Sequence, residues 1–188
     1  MDQKICSIDE ILRDGGKIHT RLIHPDDKKR LIDGFHHLSK QSIYFRFLGS
    51  KKELTESELI YFTETDYDKH IALVATIPKN GDEEIIAVGR YIETEQSDSI
   101  PSAEVALAVV DNHQNRGIGS ILFEKLMKIA RSQGVIQQFE AYVFPENKRM
   151  IEIFNHHGFD VHRSREDDLM YITCSIYREY RKSLLTEV

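Results

Sequence analysis

Hydrophobic and polar positions change period several times along the chain, and each change marks an element boundary. In "ILRDGGKIHTRLI" two short apolar runs flank Asp14-Gly15-Gly16, which predicts two strands around a tight turn. "HPDDKKRLIDGFHHL" moves to helical spacing. Leu31, Ile32, Phe35 and Leu38 share a face, Pro25 suits a first turn, and Asp26 and Asp27 favour the positive end of a helix. "SKQSIYFRFLG" is read as a short turn. A second helix is announced by Thr55-Glu56-Ser57-Glu58, a capping-box spacing, with Leu59 and Phe62 as its buried candidates.

"HIALVATI" and "EEIIAVGRYIET" read as strands joined by a hairpin loop at Pro78-Lys79-Asn80-Gly81-Asp82. "SAEVALAVV" is a further strand whose scarcity of polar positions leaves no face for water. The helix after it carries Ile118, Ile121, Leu122, Leu126, Ile129 and Ala130 at helical spacing, runs to about Gln133, and ends at Gly134. "QQFEAYVF" is the next strand, "ENKRMIEIFNHH" a helix stopped by Gly158, and "LMYITCSI" a last strand. Strands 103–110 and 137–144 joined through a helix make a right-handed crossover with parallel strands, while the other connections are hairpins. The expected class is therefore α/β: a mixed, mostly antiparallel central sheet with one parallel β-α-β pair and helices on both faces.

Composition narrows the function. With 188 residues the chain is sized for one domain and a full core. Its 25 basic and 31 acidic residues give a net charge of −6, which argues against a nucleic-acid backbone as partner but leaves room for a small anionic ligand in a local pocket. Cys6 and Cys174 lack metal spacing and read as reduced thiols of a cytoplasmic protein rather than a bridge. The N-terminus has no sustained apolar stretch of a secretory signal. The longest apolar run, Val105–Val110, is too short to span a bilayer. His36-His37 and His156-His157 are adjacent on helices, point about 100° apart, and do not suggest a metal site.

The chemistry concentrates where "VALAVVDNHQNRGIGS" passes from strand to helix. A helix mouth offers unpaired amides and a positive dipole end, and glycines let successive N–H groups converge on an anion. Arg116 adds charge at the rim. A dinucleotide fingerprint would need a third glycine where Leu122 stands, and no Gly-Lys-Ser/Thr of a P-loop follows. From the glycines alone, a tight strand-to-helix turn is an equal reading.

The wider pattern adds a resemblance. Gln114-Asn115-Arg116-Gly117-Ile118-Gly119 resembles the Q/R-x-x-G-x-G/A signature of the GCN5-related N-acetyltransferases. Asn147, Met150, Phe154 and Gly158-Phe159 resemble the family's second cofactor motif. The likeness runs from about Lys17 to Ile176. Through "RLIHPDD", "LSKQSIYFRF", "DYDKHIALVA" and "AEVALAVVDNHQNRGIG" it looks closest to the catalytic domain of bacterial protein-lysine acetyltransferases. Those proteins attach regulatory domains for which this chain has no room. The implied layout is an N-terminal strand and turn over 1–16, an acetyltransferase domain over 17–178 and a charged tail over 179–188. The resemblance implies acetyl-CoA as cosubstrate, with its diphosphate on the amides of Arg116 to Ser120. Its pantetheine arm would pair with backbone near Ala108, Val109 and Val110, where the parallel strands splay, and Asn147 would reach that arm or hold the splay open. The acceptor would be a primary amine, first of all a protein lysine, with a small amine or a non-catalytic acetyl-CoA-binding module as alternatives, and the chain a monomer or homodimer.

Acetyl transfer needs a neutral amine, and deprotonating a lysine at pH 7 costs roughly 4–5 kcal/mol. A carboxylate in an apolar strand environment can take that proton, directly or through water. Glu104, the charged exception in "SAEVALAVV", stands where many family members carry a catalytic glutamate; the competing readings are a solvated strand-end carboxylate or a partner for Arg90. His113 is a weaker substitute. Phe154 replaces the tyrosine that serves many relatives as acid and should be plain packing. Tyr142 and Tyr171 are donors without specific support. Tyr44, Arg46 and Phe47 would form a wall of the acceptor site or a core-edge cluster. Asp66 and Asp68 read as a turn, or as a lure for a cationic acceptor.

Overall fold

The computed structural model describes residues 7–94, 100–157, 159–162 and 168–177, the last-but-one segment as backbone only. Cys6, Gly158 and the tail from residue 179 lie outside the described residues. Eight strands form one sheet: β1 (Ile8–Ile11), β2 (Lys17–Leu22), β3 (His70–Lys79), β4 (Asp82–Glu93), β5 (Ser102–Val109), β6 (Gln138–Val143), β7 (Phe159–His162) and β8 (Met170–Ser175). Their spatial order is β1-β2-β3-β4-β5-β6-β8-β7, and every pair is antiparallel except β5–β6. That parallel ladder is short: it joins Ser102, Ala103 and Glu104 to Gln138, Phe139 and Glu140, after which the strands part.

The α-helices among the described residues are α1 (Lys28–His36), α2 (Lys40–Phe47), α3 (Glu56–Thr63), α4 (Ile118–Gln133) and α5 (Lys148–His156). The α4 face of the sheet holds the larger core, in which Leu122, Phe123 and Leu126 meet Ile71, Leu73, Tyr91, Val105 and Phe139. Gly89 permits this contact, since a Cβ there would lie 2.8 Å from Leu107 Cδ2 and 3.1 Å from Leu122 Cβ. On the other face Ala72, Val74 and Ile85 form a smaller cluster, and α1 supplies Leu31 and Phe35 beside Ile85 and Val88.

Charge pins α1 to the sheet. Asp27, just ahead of α1 and buried, accepts from Arg21 Nη1 at 2.7 Å and from Arg30 Nη1 at 3.1 Å. Across the sheet, buried Lys125 of α4 meets Glu10 of β1 at 2.9 Å and ties the edge hairpin to the core helix.

Local sequence explains most boundaries. Thr55 Oγ1 accepts from Glu58 N while the Glu58 carboxylate accepts from Thr55 N, the expected reciprocal cap. Two expectations are corrected, and one strand is new. The predicted 78–82 loop is only Asn80-Gly81, both at positive φ (51° and 81°), a two-residue turn that lets the strands run further. "SKQSIYFRFLG" is not a turn: Ser39 caps it, its side chain accepting from Ser42 N at 3.1 Å, and Leu48 closes it in the left-handed region. Strand β7, too short to show a period, had no counterpart in the sequence reading.

Candidate active site

Between β5 and α4 the backbone visits the left-handed region twice, at Asn115 (φ 60°) and at Gly117 (φ 87°), the residue that precedes the first turn of α4. This turns the N–H groups of Ile118, Gly119 and Ser120, which have no partner within a helix, toward open space. They line a cleft of about 780 Å³ together with Gln114, Asn115, Arg116, Gly117 and, across it, Asn147. Gly119 serves packing, since a Cβ there would stand 3.1 Å from Ile153 Cδ1 of α5.

The second wall is the unpaired edge of β5. Val110 N donates to Ile86 O at 2.9 Å, so by alternation the Ala108 and Ala106 amides also face β4, and those of Val105, Leu107 and Val109 face the gap toward β6. Gln114 closes the end of that edge, its Nε2 donating to Val109 O at 2.8 Å and to Ser42 Oγ at 3.1 Å. Of the expected contacts only Val109 faces the gap: the N–H groups of Ala108 and Val110 are turned to β4, and Val110 lines a different cavity, on the α1 side.

Arg116 is engaged before any ligand is considered. Its Nε donates to Asp14 Oδ2 at 2.5 Å, and its Nη1 lies 3.1 Å from His113 Nδ1. The guanidinium holds the Asp14 carboxyl down at about 2, while burial, then Arg116, lowers the pKa of His113. Asn115 Oδ1 accepts from Arg149 Nε at 3.0 Å, joining the loop to α5. Asn147 caps α5 by accepting from Met150 N at 3.3 Å, so its side chain shapes the cleft through the helix it starts.

Helix α2 closes the cleft on the sheet's other face, and Asp111 clasps it. Ser39 N and Ser39 Oγ donate to the Asp111 carboxylate at 2.8 and 2.7 Å, and Ser42 Oγ donates at 3.0 Å. Of the expected trio on this helix, only Arg46 lines the cleft. Tyr44 stacks on Phe144 outside it, with ring centroids 4.7 Å apart, and Phe47 packs edge-on against Phe35 at 5.9 Å. Phe45, which sequence reasoning did not single out, lines the cleft in their place.

Glu104 pairs with Ile92 on β4, two residues along from the Arg90–Ala106 pair, so it shares a face with Arg90 and with α1 to α3. Its side chain is exposed, not set in apolar surroundings as expected, and it makes no ion pair with Arg90 or with any other described residue. A second carboxylate went unread in the sequence. Glu140 is buried, stands directly beside Glu104 at the last rung of the parallel ladder, and accepts from Tyr171 Oη at 2.7 Å. Only a register shows that pairing, so no local signal could have found it. Burial, then Glu140, raises the Tyr171 pKa. Tyr142 is exposed and packs on Tyr171 at 5.1 Å; Phe154 is fully buried against Phe123 at 5.1 Å. Asp66 closes a turn, accepting from Asp68 N at 2.9 Å and His70 N at 2.8 Å.

Comparison with known proteins gives a consistent picture. The profile of the Acetyltransferase (GNAT) family matches residues 39–159. Acetyltransferase Pat of Mycolicibacterium smegmatis is 34% identical over 147 residues, which cover 78% of this chain and 42% of that protein. The chain thus spans about two fifths of that relative's length. Acetyltransferase PA5475 of Pseudomonas aeruginosa is 26% identical over 163 residues, 87% of this chain and 86% of that protein. The crystal structure of the GNAT domain of S. lividans PAT superposes with a TM-score of 0.81 at 34% identity, covering 90% of this chain and 96% of that one.

Proposed function

The chain belongs to the GNAT acetyltransferase family, and from that premise we propose that it transfers the acetyl group of acetyl-CoA to a primary amine, a protein lysine being the first choice of acceptor. One observation carries the reading: two left-handed residues, Asn115 and Gly117, aim the first-turn amides of α4 into a cleft bordered by an unpaired strand edge. Amides and dipole suit a diphosphate. The gap-facing N–H and C=O of Leu107 and the N–H of Val109 suit an extended amide-bearing arm, as an added strand would. A cleft of about 780 Å³ is in the size range of cofactor sites.

In the reaction the amine nitrogen bonds to the thioester carbonyl carbon, the carbon–sulfur bond breaks, and the amine proton must leave. Glu104 takes that proton, through water given its exposure, and its negative charge draws the cationic acceptor to the sheet face that carries Arg46. Phe154 has no proton to offer, so the thiolate leaves unprotonated or is protonated by solvent. Glu104→Gln should lower kcat/KM at least about tenfold in a thiol-release assay with a panel of lysine peptides and small amines. Unchanged turnover would remove Glu104 from the chemistry. Tight coenzyme binding with no turnover on any acceptor would favour a binding module, the reading that the missing hydroxyl at Phe154 supports.

A further inference from the structure

Two guanidiniums line one cavity on the α1 side of the sheet, and no carboxylate among the described residues pairs with either. Arg90 of β4 is 3% exposed. Its Nη1 meets His70 Nε2 at 3.1 Å, its Nη2 donates to Phe62 O at 3.3 Å, and its Cζ sits 4.5 Å from the Phe62 ring centroid. Its Nε is buried and has no hydrogen-bond partner among the described residues. Arg46, partly buried near the end of α2, makes no hydrogen bond or ion pair with a described residue; its Cζ lies 5.1 Å from the Phe47 ring centroid and 6.0 Å from that of Phe62.

A buried cation is costly unless opposite charge or hydrogen bonds compensate it. The protein's other inward-facing cations obey that rule: Arg21 and Arg30 share Asp27, and Lys125 holds Glu10. His70 cannot compensate Arg90 with charge, because burial, then Arg90, keeps it neutral with a pKa of about 4. Arg90 itself, lowered by burial and then by Arg46 to about 9, stays cationic at neutral pH. Glu104 occupies the same sheet face and attracts Arg46 at a distance, but it forms no ion pair with either arginine and does not act on Arg90.

We infer that the cavity between Arg46 and Arg90 is a binding site for a small, singly charged anion. It offers about 50 Å³, where one water needs about 10–15 Å³, so it suits chloride or the head of a carboxylate. Its apolar remainder, Phe47, Phe62, Ala108 and Val110 among it, would strengthen the attraction by keeping water out. Because Arg46 lines both this cavity and the cleft, the anion has two sources. It is either a free ion from solution or a carboxylate carried by the acceptor beside its amine. The first source is independent of acetyl transfer; the second rests on acetyl transfer to a small amine such as free lysine, since a lysine within a protein carries no free carboxylate.

The test has an arm for each source. In the first, chloride and bromide replace gluconate at constant ionic strength while thermal unfolding of the full chain is followed. A free-ion site raises Tm by about 3 °C at about 100 mM halide. The rise disappears in Arg90→Met and in Arg46→Gln, and bromide-soaked crystals show an anomalous peak between the two guanidiniums. Should Arg90→Met not fold, Arg90→Lys and Arg46→Gln carry the comparison. In the second arm, run without halide, lysine is compared with lysinamide as acceptor. A carboxylate seated on two arginines gives lysine at least about a tenfold advantage in kcat/KM, lost in Arg46→Gln. Either positive result establishes the site. A Tm that is insensitive to halide, or a halide shift that survives in both variants, overturns it when lysine also shows no preference over lysinamide. If no acceptor turns over, the halide arm alone decides, which separates failure of this site from failure of the catalytic reading.

Discussion

Gly117 shows how far a single residue can be read from sequence. A φ of 87° is a conformation that side chains with a Cβ adopt at a cost, so a glycine at the mouth of a helix announces both the turn and the amides it exposes. Gly117→Ala should therefore cost about 1 kcal/mol of stability, seen as a fall in Tm, and weaken acetyl-CoA binding in calorimetry. An unaltered affinity would mean that the loop does not hold the coenzyme. Side-chain destinations were far less legible. Tyr44, Phe45, Arg46 and Phe47 are consecutive on a helix, where successive side chains diverge by about 100°. Their four positions accordingly reach the outer surface, the cleft, the cleft rim and, half-buried, the Phe35 ring of α1. Neither the exposure of Glu104 nor the neighbouring Glu140 could be inferred from local pattern, because one depends on what α1 to α3 leave uncovered and the other on strand register.

At the scale of elements, strands were read well and helix α2 was not. The strands of the centre are long apolar runs, whereas α2 has no fully buried residue and takes its stability from its ends: the Ser39 cap, Leu48, and the clasp of Asp111 on Ser39 and Ser42. The clasp is a tertiary fact, since Asp111 lies 72 residues from Ser39. The contact of α4 with the sheet is the opposite case, a packing surface announced by the spacing of Ile118, Leu122, Leu126 and Ile129. Gly89 is a point of close approach within it, with Leu122 Cβ 3.1 Å and Leu126 Cδ1 3.3 Å from where a Cβ would stand. Gly89→Ala should destabilise the protein by about 1–3 kcal/mol, because the atoms a Cβ would strike include the Leu122 Cβ, which moves only with the helix. Denaturant unfolding measures this; a change below about 0.5 kcal/mol would show that α4 yields easily.

For the whole molecule, the buried histidine beside Arg90 sets a pH response. His70 titrates near 6.5 when unfolded and near 4 when folded, so above about 6.5 it is neutral in both states. As pH falls from there toward 4 the unfolded chain gains a proton that the folded one refuses, and stability drops, by up to about 1.4 kcal/mol per pH unit from this group. His113 and His157, also lowered chiefly by burial, act in the same sense. Denaturant midpoints should fall between pH 7 and pH 5, and His70→Asn should flatten the fall; an equal slope in the variant would place the proton elsewhere. The overall architecture was legible because hairpins and one helical crossover leave few ways to order the strands, while β7, four residues at the sheet's edge, left no trace in the pattern. The same ordering gives the molecule a perforated seam. Five strands lie on one side and three on the other, and among the described residues the parallel ladder that fastens them has three rungs, at Ser102, Ala103 and Glu104, extended by the bonds of Gln137 and Gln138 N–H to Pro101 O. A guest lying along both lips of that seam stitches the halves, so how firmly it is gripped and how stiff the whole body becomes are two readings of one quantity.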